Sequence, residues 1–270
     1  MVLLTPQLNL RQKASVFYHD FFDYPLAEYE LDKWILGEAV KIPKQKIIVD
    51  HDQQKEFYFL RGRSSLVKKR KKNTEFSNKK FSRAQWAACW LGCLPTVKMV
   101  ALTGSMAMSN ANENSDLDLM VIASKGALWT TRLLSLCLLK ILGFPIRRAG
   151  EKEQKDKLCL NLWMDEGDLV WGEKNLFVAH EIAQIIPLAI KDEAYERFLW
   201  ENSWIKDYWP NAVETVKPKR QQVPKSRLFV GIEVLAFWLQ YLYMKRKITS
   251  EKVGRTRAQF HPSKRANPEF

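Results

Sequence analysis

The fold is decided by Val100-Ala-Leu-Thr-Gly-Ser105, followed by Ser115-Asp-Leu-Asp-Leu-Met-Val-Ile122. The first stretch reads as a strand ending in a Gly-Ser turn. The second reads as a strand that carries Asp116 and Asp118 at its start. Side chains two apart on a strand share a face, so Asp116 and Asp118 project together, while Leu117 and Leu119 point into a core. Two like charges on one face repel. They suit a divalent cation instead, and Mg²⁺ favours a few carboxylates plus substrate phosphates, with Mn²⁺ as a substitute. Gly104 lacks a Cβ, so a phosphate can approach the backbone there. The Ser105 hydroxyl and the N–H groups that follow it can hold phosphate oxygens. A phosphate grip beside a metal grip suits phosphoryl or nucleotidyl transfer, in which positioning and charge neutralisation do most of the catalysis.

Gly104-Ser105, then ten residues, then Asp116-Leu-Asp118-Leu resembles the pattern of the DNA polymerase beta-like nucleotidyltransferase superfamily. Further pieces resemble a bacterial subgroup of nucleotidyltransferase-domain proteins: Phe22-Asp-Tyr-Pro-Leu26, Leu158-Cys-Leu-Asn-Leu162, Ala179-His-Glu-Ile-Ala-Gln184 and Phe260-His-Pro262. The resemblance implies an α+β fold: a small mixed β-sheet nucleotidyltransferase core with helices, an N-terminal winged-helix-like unit and a C-terminal helical region. It implies Asp116 and Asp118 as metal-holding catalytic residues, Gly104 and Ser105 as nucleotide-binding residues, and a nucleoside triphosphate as partner. Members commonly carry a third carboxylate on the third core strand. Here the mid-strand polar residue is Asn161, which can ligate weakly but cannot act as a base, and Asp165 at the strand end is the nearest alternative. Many small members also carry an Arg soon after Gly-Ser. This chain has Met106-Ala-Met-Ser109, leaving Arg132, Arg147 and Arg148 as candidate cations.

The 270 residues carry a formal net charge of +13, which attracts polyanions or nucleoside triphosphates. Residues 1–62 read as the winged-helix-like unit, with helices over Leu10–Phe22 and Leu26–Leu36 and a short strand at Phe57–Leu60; a plain helical cap is the alternative. Residues 63–83 read as a basic linker helix. Arg61–Arg83 is the densest basic run, fit for RNA or DNA or simply a solvated helix face. Residues 84–172 read as the catalytic core: a helix over Trp86–Leu94, strands at Val97–Leu102, Leu117–Ala123 and Leu158–Met164, a helix over Leu128–Leu142, and a fourth strand at Leu169–Trp171. Residues 173–262 read as mainly helical (Leu176–Ile190, Asp192–Trp204, Ser226–Ile248), with Lys217–Pro224 as a loop and 263–270 as a tail. Pro187 is expected to kink or end the first of those helices. His180 is expected to pack rather than ligate, and Glu181 beside it is the other polar residue of note.

Cys89, Cys93, Cys137 and Cys159 lie in apolar stretches without a zinc-ligand set and read as buried thiols of a cytoplasmic protein. The start lacks a secretory pattern, and the apolar runs Leu133–Ile146 and Leu228–Met244 are too short to span a membrane, so no membrane association is expected.

Overall fold

The computed structural model describes residues 8–52, 56–148, 150–151, 153–219, 230–245 and 251–260. The expectations for the start of the chain, for Ser226, Pro224, His261-Pro262 and for the tail lie outside the described residues. The α+β class holds. A six-stranded mixed sheet runs in the order β7-β4-β5-β6-β9-β8, formed by β4 (Val97–Leu102), β5 (Leu117–Ala123), β6 (Leu158–Asp165), β7 (Ile186–Ile190), β8 (Lys252–Val253) and β9 (Arg257–Gln259). β5 and β6 are parallel, joined by the crossover helix α5 (Leu128–Ile141); the other pairings are antiparallel.

Alternation along these strands splits the core. Met99, Ala101, Met120, Ile122, Leu162 and Met164 face one layer, which contains α1 (Leu10–Asp20), α2 (Glu28–Lys33), α6 (Leu176–Ala183) and α7 (Ala194–Glu201). Val100, Leu102, Leu119, Val121 and Trp163 face the opposite layer, built from the C-terminal half of α3 (Ser65–Cys93), α5 and α8 (Val230–Lys245). The first 60 residues also contain a small antiparallel sheet of β1 (Leu26–Ala27), β3 (Phe57–Leu60) and β2 (Val49–His51).

The expected basic linker and the helix after it are one continuous helix, α3. Its buried positions, Leu66, Arg70, Asn73, Ser77, Lys80, Ala84, Ala87 and Leu91, recur every three or four residues. The second half of that stripe is apolar and lies on the sheet. The first half is polar and binds the connector between the Gly-Ser turn and β5. Arg70 Nη1 donates to the carbonyls of Met108 and Ser109 at 3.2 and 2.9 Å. Asn73 Nδ2 donates to Asn110 Oδ1 at 2.8 Å, and Ser77 Oγ accepts from the Ala111 amide at 3.0 Å. Lys80 Nζ donates to the carbonyls of Glu113 and Ser115 at 2.8 and 2.7 Å. Arg70 and Lys80 are therefore structural, whereas Lys68, Lys71, Lys72 and Lys79 are exposed.

Other expectations change. The helix that was to reach Ile190 stops at Ala183, and Ile186–Ile190 becomes edge strand β7. Pro187 is tolerated there because it sits on an edge strand, where the register shifts against β4. No strand forms at Leu169–Trp171. Instead Arg257 donates to the carbonyls of Asp168 and Val170, and β9 takes the place beside β6. The thiols of Cys89, Cys93 and Cys137 are exposed; Cys159 is buried. Among the described residues no helix is long and apolar enough to cross a membrane.

His19 and His180 are fully enclosed in the first layer. Their rings lie 5.1 Å apart, and the His180 ring lies 4.5 Å from that of Trp34. Burial pushes His19 down to about 4 and holds His180 well below the usual histidine range. Both rings are neutral in the folded state but protonate near pH 6.5 when unfolded, so stability is full above pH 6.5 and declines below it. Urea midpoints should therefore fall between pH 7 and pH 5 by the equivalent of about 2 kcal/mol per histidine. His180→Phe should remove about half of that slope; a variant with the wild-type slope would contradict this origin.

Candidate nucleotide and metal site

Antiparallel pairing of β4 with β5 sets Leu102 opposite Leu119, and the Thr103 amide donates to the Asp118 carbonyl at 3.0 Å. This register brings the Gly-Ser turn against the start of β5. Gly104 has φ +61°, and a Cβ there would stand 2.7 Å from Asp118 Oδ2. The glycine is thus required twice, for its left-handed backbone and for the space that the carboxylate occupies. Gly104 and Ser105 open the short helix α4 (Gly104–Ala107), and the Ser105 carbonyl accepts the Asn110 amide at 2.8 Å.

β5 and β6 run parallel with Asp118 opposite Cys159. One ligand atom each from Asp116, Asp118 and Cys159 lies within 4.8 Å of the others, so this group could hold a metal ion. The register then slips between Leu119 and Met120, leaving Asn161 as the extra residue. Two residues on from Cys159, Asn161 shares its face, and its Nδ2 donates to Asp118 Oδ1 at 2.9 Å. Asn161 Oδ1 is buried without a hydrogen-bond partner.

Among the candidate cations, Arg147 reaches the site. It donates to Asp116 Oδ2 at 2.6 Å, and the Arg147 amide is anchored on the Leu158 carbonyl at 2.9 Å. Arg132 is turned away: it donates to Gln240 and lies over the Phe260 ring. Asp165 is also remote. It pairs with Ala123 at the far end of β5, about 17 Å along the strand from Asp118. There it caps a turn, accepting the amides of Gly126 and Gly167 at 2.6 and 2.7 Å. Its neighbour Glu166 is paired with buried Arg197 at 2.7 Å.

Burial, then the negative charge of Asp116, pushes Asp118 up to about 7; a hydrogen bond from Cys159 and the charge of Arg147 offset part of this. Glu181 on α6 adds a smaller push in the same direction, so its carboxylate shares the field of the site. Burial and the two carboxylates hold the Cys159 thiol far above its usual value, keeping it protonated. His180 packs in the core as expected. The residue that the sequence did not place at the site is Cys159, hidden by its apolar neighbours; Arg147 is one of three candidate cations that charge alone could not rank.

No protein-family model matches the chain, and no curated protein matches it. Among solved structures, a crystal structure of a toxin–antitoxin with AMP-PNP is similar at 15% identity and a TM-score of 0.26, covering 47% of this chain and 83% of that one. A likeness of this degree supports no conclusion about this chain.

The raised Asp118 value has a definite sign. Ionising Asp118 is harder in the folded chain than in the unfolded one, so stability falls as pH rises from about 4 through about 7. Without metal at pH 8, Asp118→Asn should raise the unfolding free energy by about 2 kcal/mol, roughly half the full linkage value because the group is partly open to solvent. A loss of stability would make Asp118 a structural residue. Gly104→Ala should cost about 1–3 kcal/mol through its positive φ and the contact with Asp118; an unchanged melting temperature would contradict that packing.

Proposed function

We propose that the chain transfers a nucleoside monophosphate from a nucleoside triphosphate to an acceptor and releases pyrophosphate. The observation that carries this reading is the contact between the Gly104 bend and the Asp118 carboxylate, with Asp116 and Arg147 alongside. The donor set fits a divalent metal: Asp116 and Asp118 repel each other, and the buried Asn161 Oδ1 lacks a donor. Asp116 and Asp118 would hold Mg²⁺, or Mn²⁺ in its place, which when bound neutralises phosphate charge.

The Gly104 and Ser105 amides and the Ser105 hydroxyl bind the phosphate oxygens. Arg147 supplies the positive charge that 106–109 lack. An acceptor hydroxyl attacks the α-phosphorus, the bond to the bridging β-oxygen breaks, and pyrophosphate leaves. Asn161 cannot take the hydroxyl proton, and the Cys159 thiol is already protonated. The hydroxyl proton then passes to a phosphate oxygen of the substrate. Asn161 then serves to hold Asp118 in place rather than to carry a proton.

A second reading, a nucleic-acid-binding module on a degenerate scaffold, rests on the exposed Lys68, Lys71, Lys72 and Lys79 face of α3 together with the missing third acid.

With Mg²⁺, α-labelled nucleoside triphosphates and mixed cellular RNA and protein as acceptors, label should transfer and pyrophosphate should appear. Asp118→Asn should lower the rate at least about 100-fold, as expected for loss of charge stabilisation, while its melting temperature stays at or above wild type. Salt-sensitive RNA binding without label transfer, equal in wild type and Asp118→Asn, would favour the second reading. Full activity in Asp118→Asn would overturn the first.

A further inference from the structure

An open groove of about 390 Å³ lies between the first half of α3 and the segments that lead into β5 and β6. Lys69, Lys72 and Phe76 line it from α3, and Asn112, Asn114 and Gln154 line it from across. Phe76 stands between two cations, with Lys72 Nζ 5.6 Å and Lys79 Nζ 6.0 Å from its ring centroid. Of the six lysines of α3, Lys69, Lys71 and Lys80 are engaged by Asp23, Glu56 and Asp156 at 2.6, 3.0 and 2.9 Å, whereas Lys68, Lys72 and Lys79 have no ion-pair partner among the described residues. Lys68 and Lys79 share a face with Lys72, one turn before it and two turns after it. Across the groove, the side chains of Asn114 and Gln154 make no hydrogen bond among the described residues, and each offers both donors and an acceptor. The acids nearby do not cancel this charge: Glu113 is paired with Lys155 at 2.7 Å, and Glu75 lies outside the groove's lining.

The groove opens beside the acid pair. β5 and β6 are parallel, and the acids stand at the start of β5, so the segments that lead into both strands lie at the acids' end of the sheet. Asn114 comes two residues before Asp116, which brings the groove wall within about 7 Å of that acid along the chain. The volume falls within the roughly 300–1,000 Å³ of small-ligand clefts, so it admits one unstacked nucleotide and not a duplex.

We infer that this groove seats a single-stranded nucleic acid, with one base on the Phe76 ring, backbone phosphates along Lys68, Lys72 and Lys79, and the strand's end at the acid pair as the acceptor. Charge complementarity and the ring together select this occupant. A phosphate backbone needs a row of unpaired cations, and any base can stack on an aromatic face. An acidic protein segment would use the lysines but leave the ring and the amides of Asn114 and Gln154 without a role. A membrane surface is too broad to enter the groove and reach Phe76. The acceptor role rests on the transfer reading above; the seating of the strand does not. In that role the strand's terminal hydroxyl oxygen bonds to the α-phosphorus, and the bond to the bridging β-oxygen breaks. The hydroxyl proton passes to a phosphate oxygen, pyrophosphate leaves, and the strand gains one nucleotide.

Fluorescence anisotropy with labelled single strands of about 12 nucleotides, RNA and DNA, on the full chain without metal or triphosphate tests the seating. Three phosphate contacts predict a log–log salt slope of about −2, and Lys72→Gln with Lys79→Gln should bring it to about −0.7. Phe76→Leu keeps an apolar side chain but loses the stacking face. It should weaken binding about tenfold at fixed salt and leave the slope unchanged. A 5-iodouridine strand should crosslink on irradiation to the peptide that holds Phe76. With Mg²⁺ and a labelled triphosphate, label should reach the strand's end in wild type and not in Asp118→Asn, which binds the strand as wild type does. No binding of either strand, a slope near zero, full affinity in both groove variants, or a polyglutamate that competes as well as the strand overturns the inference. Label that goes to a protein or a small molecule while the strand stays unlabelled overturns it too. Groove-dependent binding with no label on any acceptor confirms the seated strand and overturns the transfer reading instead.

Discussion

The site depends on how the connector of residues 108–115 is held. That segment carries the chain from the Gly-Ser turn to the Asp-x-Asp strand, with a local turn closed by Asn112 and Ser115 as its own internal support. The inner stripe of α3 fixes it nearly residue by residue, through Arg70, Asn73, Ser77 and Lys80. Burying two cations is costly unless they are fully engaged. Arg70 meets most of that condition by pairing with Glu30 at 3.2 Å and lying over the Tyr24 ring, its buried Nε alone lacking a hydrogen-bond partner. Lys80 meets it with Asp156 at 2.9 Å. The N-terminal helices, α3 and the connector are thus one polar network, and the Gly104–Asp118 approach is its output. Removing one member strands buried partners, so the cost exceeds that of one hydrogen bond.

Much of the fold could be read because its signals are local. Val97–Leu102 and Leu117–Ala123 are apolar runs bounded by turns, and the Leu128 helix has clear breakers in Gly143 and Pro145. The meeting of Gly104 with Asp118 follows from pairing two such runs. What escaped is what only tertiary contacts decide. Pro187 reads as a helix breaker, and nothing local says that an open sheet edge waits for the residues around it. The roles of Arg70 and Lys80 cannot be separated from those of Lys68 and Lys72 by composition; they differ in which side of α3 meets the connector. Asp165 looked close to Asn161 along the chain, yet strand direction carries it to the other end of the sheet. Cys159 became part of the site through strand register, which an apolar sequence does not reveal.

The site carries energetic tension. Burial and Asp116 disfavour the Asp118 charge, and Arg147 relieves only part of it. Such an arrangement is poor for stability and suited to binding a cation and a polyanion together. The rest of the chain offsets it with a sheet buried on both faces.

The central claim is that the acid pair and the glycyl bend form one site for a metal-bound triphosphate. The most direct measurement is anomalous diffraction from crystals soaked with Mn²⁺ and a non-hydrolysable nucleoside triphosphate. The account predicts a manganese peak touching both Asp116 and Asp118, with phosphate density against Gly104 and Ser105. Manganese bound elsewhere, or a nucleotide seated away from the bend, would contradict it.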